Sequence, residues 1–187
     1  MAGPAQITDP EVQLLAGMAA TLQSDYVDPS DDPWLGSPFA WIRTRPSRQR
    51  GAIGEQLVAG WCAAKNFDVV RSHSSDADRV INGHRIEVRF STLWASGVYK
   101  FQQIRNQQYD YLFCLGISPF DAQAWLFPKS VLAEHVIGHT GQHTGATGAD
   151  TAWISFPASL PHVWMSPYGP RLQDVANVLT SIGRGSY

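Results

Sequence analysis

The chain has little charge and almost no cysteine. Charged residues make up 16% of its 187 positions and hydrophobic residues 44%. That balance excludes a disordered polyelectrolyte and suits a globular fold with a real core. The two cysteines, Cys62 and Cys114, lie far apart in apolar stretches. Neither has a nearby cysteine, which excludes a zinc cluster or a redox pair and leaves reduced, buried thiols as the expectation. No apolar run approaches membrane-spanning length, so no membrane partner is expected. The first residues lack the basic-then-apolar pattern of a signal peptide, and a cytoplasmic protein is expected. Also missing are a G-x-S-x-G elbow, a phosphate loop, an H-E-x-x-H pair and any internal repeat, so the common hydrolase fingerprints do not apply.

Basic residues are absent from the first 33 positions, which hold six acids: Asp9, Glu11, Asp25, Asp28, Asp31 and Asp32. The net charge of -2 therefore hides an asymmetry, because the remainder carries 14 basic and 10 acidic residues, about +4. Such an excess is compatible with a polyanionic partner. Asp9-Pro10-Glu11 is a helix start, with Val12, Leu15, Met18 and Leu22 at helical spacing behind it. The Asp-, Ser-, Pro- and Gly-rich run from Asp25 to Pro38 reads as a loop. The expected organisation is an N-terminal helix with an acidic, loop-rich segment over 1–38, and a main domain over 39–187.

Within the main domain, residues 51–65 read as a helix with Ile53, Leu57, Trp61 and Ala64 on one stripe. Strands are expected at 67–71, 109–116, 122–127 and 151–156, and helices at 129–135 and 172–182. Residues 138–149, rich in Gly, His and Thr, read as a loop. Strands mixed with helices on this scale predict an α/β fold with a mixed central sheet flanked by helices.

The most informative stretch is 76–90. Asn82-Gly83 between two alternating runs is a hairpin signal, because a type I′ turn needs positive φ at both central residues. The turn fixes the register. Ile81 faces His84, Val80 faces Arg85, Arg79 faces Ile86, Asp78 faces Glu87 and Asp76 faces Arg89. Alternation then puts Ala77, Arg79, Ile81, His84, Ile86 and Val88 on one mostly apolar face. Asp76, Asp78, Val80, Arg85, Glu87 and Arg89 share the other. Two carboxylates directly opposed, with Cβ atoms roughly 5 Å apart, repel each other. A divalent cation reverses that sign, and magnesium favours one or two carboxylates together with phosphate oxygens. The plain alternative is a solvated strand face, with Asp76–Arg89 and Glu87–Arg85 as ordinary charge pairs.

The order Gly51-Ala52-Ile53-Gly54-Glu55 on a helix, then Asp78, then Glu87-Val88-Arg89 on the next strand, resembles the PD-(D/E)XK nuclease superfamily. Ser91-Thr92, the run from Phe101 to Arg105, and Tyr109-Asp110-Tyr111-Leu112 extend the likeness over roughly residues 50–135. The resemblance implies a restriction-endonuclease-like fold and hydrolysis of DNA phosphodiesters with Mg2+ or Mn2+, in restriction or defence against foreign DNA. It implies Asp78 and Glu87 as metal ligands, the Val88 carbonyl as a third, and Glu55 as the helix acid that completes the shell through water. A homodimer is expected on the same ground, since cutting two strands takes two sites. Arg89 departs from the pattern, standing where the family has a lysine that positions or activates the attacking water. An arginine can orient that water or stabilise a pentavalent phosphate, but it cannot be deprotonated and so cannot act as a base.

Arg43, Arg45, Arg48 and Arg50, with no acid among them, read as a phosphate-contacting arm or a solvated loop. Gln102, Gln103 and Arg105, in a run continued by Asn106, Gln107 and Gln108, are the residue types that read adenine and guanine in a major groove, or else an ordinary polar helix face. His135, His139 and His143 recur at intervals of four, but the intervening glycines oppose a helical zinc site. Trp94, Trp125, Trp153 and Trp164 read as core or interface residues. Two further readings stand beside the nuclease: a DNA-binding module that no longer cuts, motivated by Arg89, and an interaction subunit, motivated by the acidic segment and the tryptophans.

Overall fold

A computed structural model of the chain describes residues 9, 10, 12–18, 32–142 and 151–183. It divides into two compact units, Met1–Leu35 and Gly36–Tyr187. In the first, residues 12–18 are helical. Asp9 caps that helix: its Oδ1 accepts the Val12 N–H at 3.3 Å and its carbonyl accepts the Gln13 N–H at 2.9 Å. Leu22 lies outside the described residues.

Among the described residues the second unit holds four α-helices, α1 (Ala40–Arg43), α2 (Ser47–Ala64), α3 (Lys129–His135) and α4 (Leu172–Gly183), with a 3-10 helix at Val163–Tyr168. Its strands are β1 (Val69–Arg71), β2 (Arg79–Ile81), β3 (His84–Thr92), β4 (Val98–Ile104), β5 (Tyr111–Ile117), β6 (Ala122–Pro128), β7 (Gly141–Gln142) and β8 (Thr151–Pro157). A five-stranded sheet runs in the order β1-β2-β3-β5-β6, and a three-stranded sheet in the order β4-β8-β7. The central sheet is mixed, because β3 pairs parallel with β5 and its other pairs are antiparallel. This is the expected α/β architecture. No helix among the described residues is long and apolar enough to cross a membrane.

The core lies between the sheets. Tyr99 and Phe101 of β4, Trp125 of β6 and Phe156 of β8 are buried, with Trp125 and Phe156 edge to face at 5.1 Å. Aromatic pairs in that geometry add to the burial of their area. The opposite face of β5 receives α2, where Trp61 meets Phe113 edge to face at 6.1 Å. β5 is thus covered on both faces, as a continuous apolar run such as YLFCLGI requires. Cys62 and Cys114 are free and buried.

Three expectations are corrected. The buried stripe of α2 is Gly54, Val58 and Cys62, one residue on from the predicted one, and Leu57 is exposed. The reason is Gly54: a Cβ there would lie 2.5 Å from Cγ and 2.8 Å from Cδ2 of Phe90, so the helix sits closest to β3 at the residue without a side chain. The arginine arm is not one loop. Arg43 ends α1 and Arg48 and Arg50 lie in the first turn of α2. The amide run is not a helix either, for Gln102 and Gln103 belong to β4. Gln103 has φ 59°, at a break in the β4–β8 register between Phe101 and Ile104.

Candidate active site

The hairpin has the predicted register. Ile81 pairs with His84, Val80 with Arg85 and Arg79 with Ile86, around Asn82 and Gly83 with φ of 51° and 81°. Asp78 lies just beyond the β2 ladder and is held by two further bonds. Its N–H reaches the Ile86 carbonyl at 3.0 Å, and its Oδ2 accepts the Val88 N–H at 2.8 Å. The strand that carries Glu87 therefore fixes the Asp78 carboxylate. Arg85, the residue paired with Val80, turns away to Asp110 at 3.0 Å.

Glu87 is buried, with its side chain 7% exposed. Burial pushes its carboxyl up to about 7; Arg89 opposes the shift, and the neighbouring Asp78 adds to it. Glu55, on α2, has its carboxyl raised by burial and then by Asp78, against the pull of Arg79 and Arg89. Arg79 lies 3.8 Å from Glu55. The three acids thus share one electrostatic neighbourhood. Among the described residues no three His, Cys, Asp or Glu side chains cluster as metal ligands. The oxygens gathered around the Arg89 guanidinium are those of two carboxylates, Asp78 and Glu87, and the Val88 carbonyl. A set of hard oxygens is what Mg2+ takes from a protein before phosphate and water complete its shell, so these residues fit that ion. The buried hydroxyl of Tyr109 has no hydrogen-bond partner and lies within electrostatic reach of Glu87 and Arg89.

Arg89 is the centre of the arrangement. Its Nη2 lies 2.5 Å from Glu87 Oε1 and its Nη1 3.9 Å from Asp78 Oδ2. Nη1 also donates to the Val88 carbonyl at 2.8 Å. Nε and Nη2 donate to the Gln103 carbonyl at 3.2 and 2.7 Å. The Asp76–Arg89 charge pair of the plain alternative, a solvated strand face, is absent. Asp76 instead accepts a hydrogen bond from the Ser74 hydroxyl at 3.1 Å, and the guanidinium donates to the Gln103 carbonyl within the β4 irregularity.

A cleft of about 610 Å3 opens beside this centre, with Arg48, Arg50, Glu55, Arg89, Lys100, Gln102 and Gln103 in its wall. Four cations face a single acid there. Asp78 and Glu87 are not in the wall, whereas Arg89 and Val88 are.

The fold is similar to that of an endonuclease. The bacterial homing endonuclease I-Ssp6803I superposes with a TM-score of 0.50 at 14% sequence identity, over 75% of this chain and 95% of that one. No protein-family model and no curated protein matches the sequence. The homing endonuclease likeness lies in the fold.

Not every predicted site residue reaches the cleft. Arg43, Arg45 and Arg105 do not line it. Lys100 and Trp94, which sequence reading did not single out as site residues, do. Lys100 Nζ stands 4.0 Å above the Trp94 ring, and Trp94, read from the sequence as core or interface, is 47% exposed. The one sequence signal for Lys100 is alternation, since it lies between two inward-pointing aromatics, Tyr99 and Phe101. The histidine spacing is not a helical zinc motif. α3 ends at His135, whose ring stacks on Trp164 at 5.0 Å. His139 follows in a turn, and His143 lies outside the described residues.

Proposed function

We propose that this chain is a metal-dependent DNA endonuclease of the PD-(D/E)XK kind, using Mg2+ or Mn2+ at Asp78, Glu87 and the Val88 carbonyl. The observation that carries the reading is the meeting of two carboxylates and a carbonyl beside a cleft walled by Arg48, Arg50 and Lys100. The similarity in fold to a homing endonuclease agrees with it. A bound divalent cation would lower the pKa of water and offset charge on the phosphate.

The chain's own residues would do the rest. The Val88 N–H orients Asp78. Arg48, Arg50 and Lys100 hold the phosphate backbone by charge, which fixes register on the duplex without reading sequence. Arg89 offers a planar fork to the phosphate under attack, and its charge is permanent. Glu55, at the cleft wall, positions water. Cutting both strands requires two such sites, so a homodimer acting in restriction or defence against foreign DNA is part of the proposal.

The test is incubation with supercoiled plasmid and Mg2+ or Mn2+ beside Glu87→Ala. Cation-dependent cleavage that disappears in the variant supports the reading. A parent that binds DNA and never cuts it, even as Arg89→Lys, sinks it in favour of a second reading, a DNA-binding module without nuclease activity. The hydrogen bond from Arg89 to the Val88 carbonyl and its ion pairs with Glu87 and Asp78 favour that second reading.

A further inference from the structure

Arg89 does more than stand where a lysine is expected. Its guanidinium engages the three oxygens that would take the cation: Glu87 Oε1 at 2.5 Å, Asp78 Oδ2 at 3.9 Å and the Val88 carbonyl at 2.8 Å. The same side chain lines the cleft, while Asp78 and Glu87 do not. It therefore joins the acids to the cleft whose wall it shares with Arg48, Arg50 and Lys100. A guanidinium keeps its proton at any relevant pH, so it leaves the acids by moving and not by neutralising. It moves only toward another anion of suitable geometry, and a phosphate, which accepts two parallel N–H bonds, is such an anion.

We propose that Arg89 is an internal counter-cation that couples the two ligands of this site: a nucleic-acid phosphate in the cleft draws Arg89 off the acids, and the freed oxygens then take a divalent cation. The inference rests on the proposed nuclease reading for the identity of the cation seat. It makes Arg89 a positioning residue that sets the order of binding. Without phosphate, Arg89 and the cation compete for the same oxygens. With phosphate they cooperate. By linkage the cation must tighten phosphate binding by the same factor as phosphate tightens cation binding.

The test measures Mn2+ binding by electron paramagnetic resonance of the free ion, with and without a short duplex bearing phosphorothioate linkages that resist cutting. The proteins are the parent, Arg89→Gln and Arg89→Lys, each checked for folding by circular dichroism. The parent is expected to bind Mn2+ about tenfold or more tightly once the duplex is present. Arg89→Gln is expected to bind Mn2+ tightly without duplex and to gain much less from it than the parent, only what a phosphate oxygen adds to the ion's shell. Arg89→Lys, a point charge with no fork, is expected to show a reduced coupling, and it carries the test if Arg89→Gln does not fold. Equal Mn2+ affinity with and without duplex in the parent, matched by the variants, overturns the coupling and leaves the cation site standing. Failure of parent and variants to bind Mn2+ under either condition overturns the cation site itself, and the coupling with it.

Discussion

Asp78 Oδ2 accepts the backbone N–H of Val88 at 2.8 Å. A side chain at the end of one strand thereby closes the hydrogen-bonding of the next, and the bond serves both the hairpin and the proposed cation seat. Asp78→Asn keeps an oxygen for that N–H and loses only charge. It is expected to melt within a few degrees of the parent while cation-dependent cleavage falls by at least about a hundredfold. Asp78→Ala removes the acceptor as well and costs a further ~1–3 kcal/mol from an unsatisfied backbone group. Thermal melts of the two variants, set beside plasmid cleavage, separate the two roles.

The raised carboxyl of Glu87 makes stability depend on pH. Its value in the fold is about 7 against an ordinary 4.5, so the native state holds a proton that the unfolded chain has already released. That contribution is fully present below about pH 4.5 and is lost as pH rises through about 7. The melting temperature of the cation-free parent is expected to fall across that window. Glu87→Gln, which has no proton to lose there, should flatten the profile. A parent whose melting temperature rises steadily over the same range would show that Arg89, not burial, governs Glu87.

Gly54 tests the seating of α2 on β3. A Cβ at Gly54 would lie 2.5 Å from Cγ of Phe90, whereas one at Gly51 would meet nothing within 4 Å. Gly54→Ala is expected to destabilise by ~1–3 kcal/mol through overpacking, with a melting temperature lower by about 2–4 °C for each kcal/mol. Gly51→Ala, on the same helix, is expected to be neutral or to stabilise by up to ~1 kcal/mol. Both are read by calorimetry.

The arginines divide by location. Arg48 and Arg50 line the cleft, while Arg43 and Arg45 do not. Alanine at either of the first two should weaken duplex binding similarly across sequences and reduce the salt slope by about one each. Alanine at Arg43 or Arg45 should leave both quantities near those of the parent. Fluorescence anisotropy over a salt series decides the point, and equal losses at all four positions would place the nucleic acid elsewhere.

The hairpin was legible because Asn82-Gly83 specifies one turn and the turn specifies every pair beyond it. The partner of Arg89 was not legible. Register named Asp76, but a long side chain answers to whatever acceptors come within reach, and those were Glu87, the Val88 carbonyl and a carbonyl of β4. β4 itself was hidden, because its apolar alternation through Tyr99 and Phe101 dissolves into amides where the ladder breaks at Gln103. The stripe of α2 was misplaced by one residue because Gly54 offers no hydrophobic side chain to count, although it is the position of closest approach. The mixed α/β architecture followed from the alternation of strand and helix patterns, which no local exception could undo.

Gln103 lines the cleft and its carbonyl accepts two hydrogen bonds from Arg89. The residue type that would read a base and the backbone that tethers the internal charge are therefore one peptide. A shift of that peptide to suit a different DNA sequence would loosen or tighten the hold on the guanidinium at the same moment. If the proposed nuclease reading holds, target choice and ion affinity would then evolve as a single trait, and variants selected for a new site would carry a changed metal requirement with them.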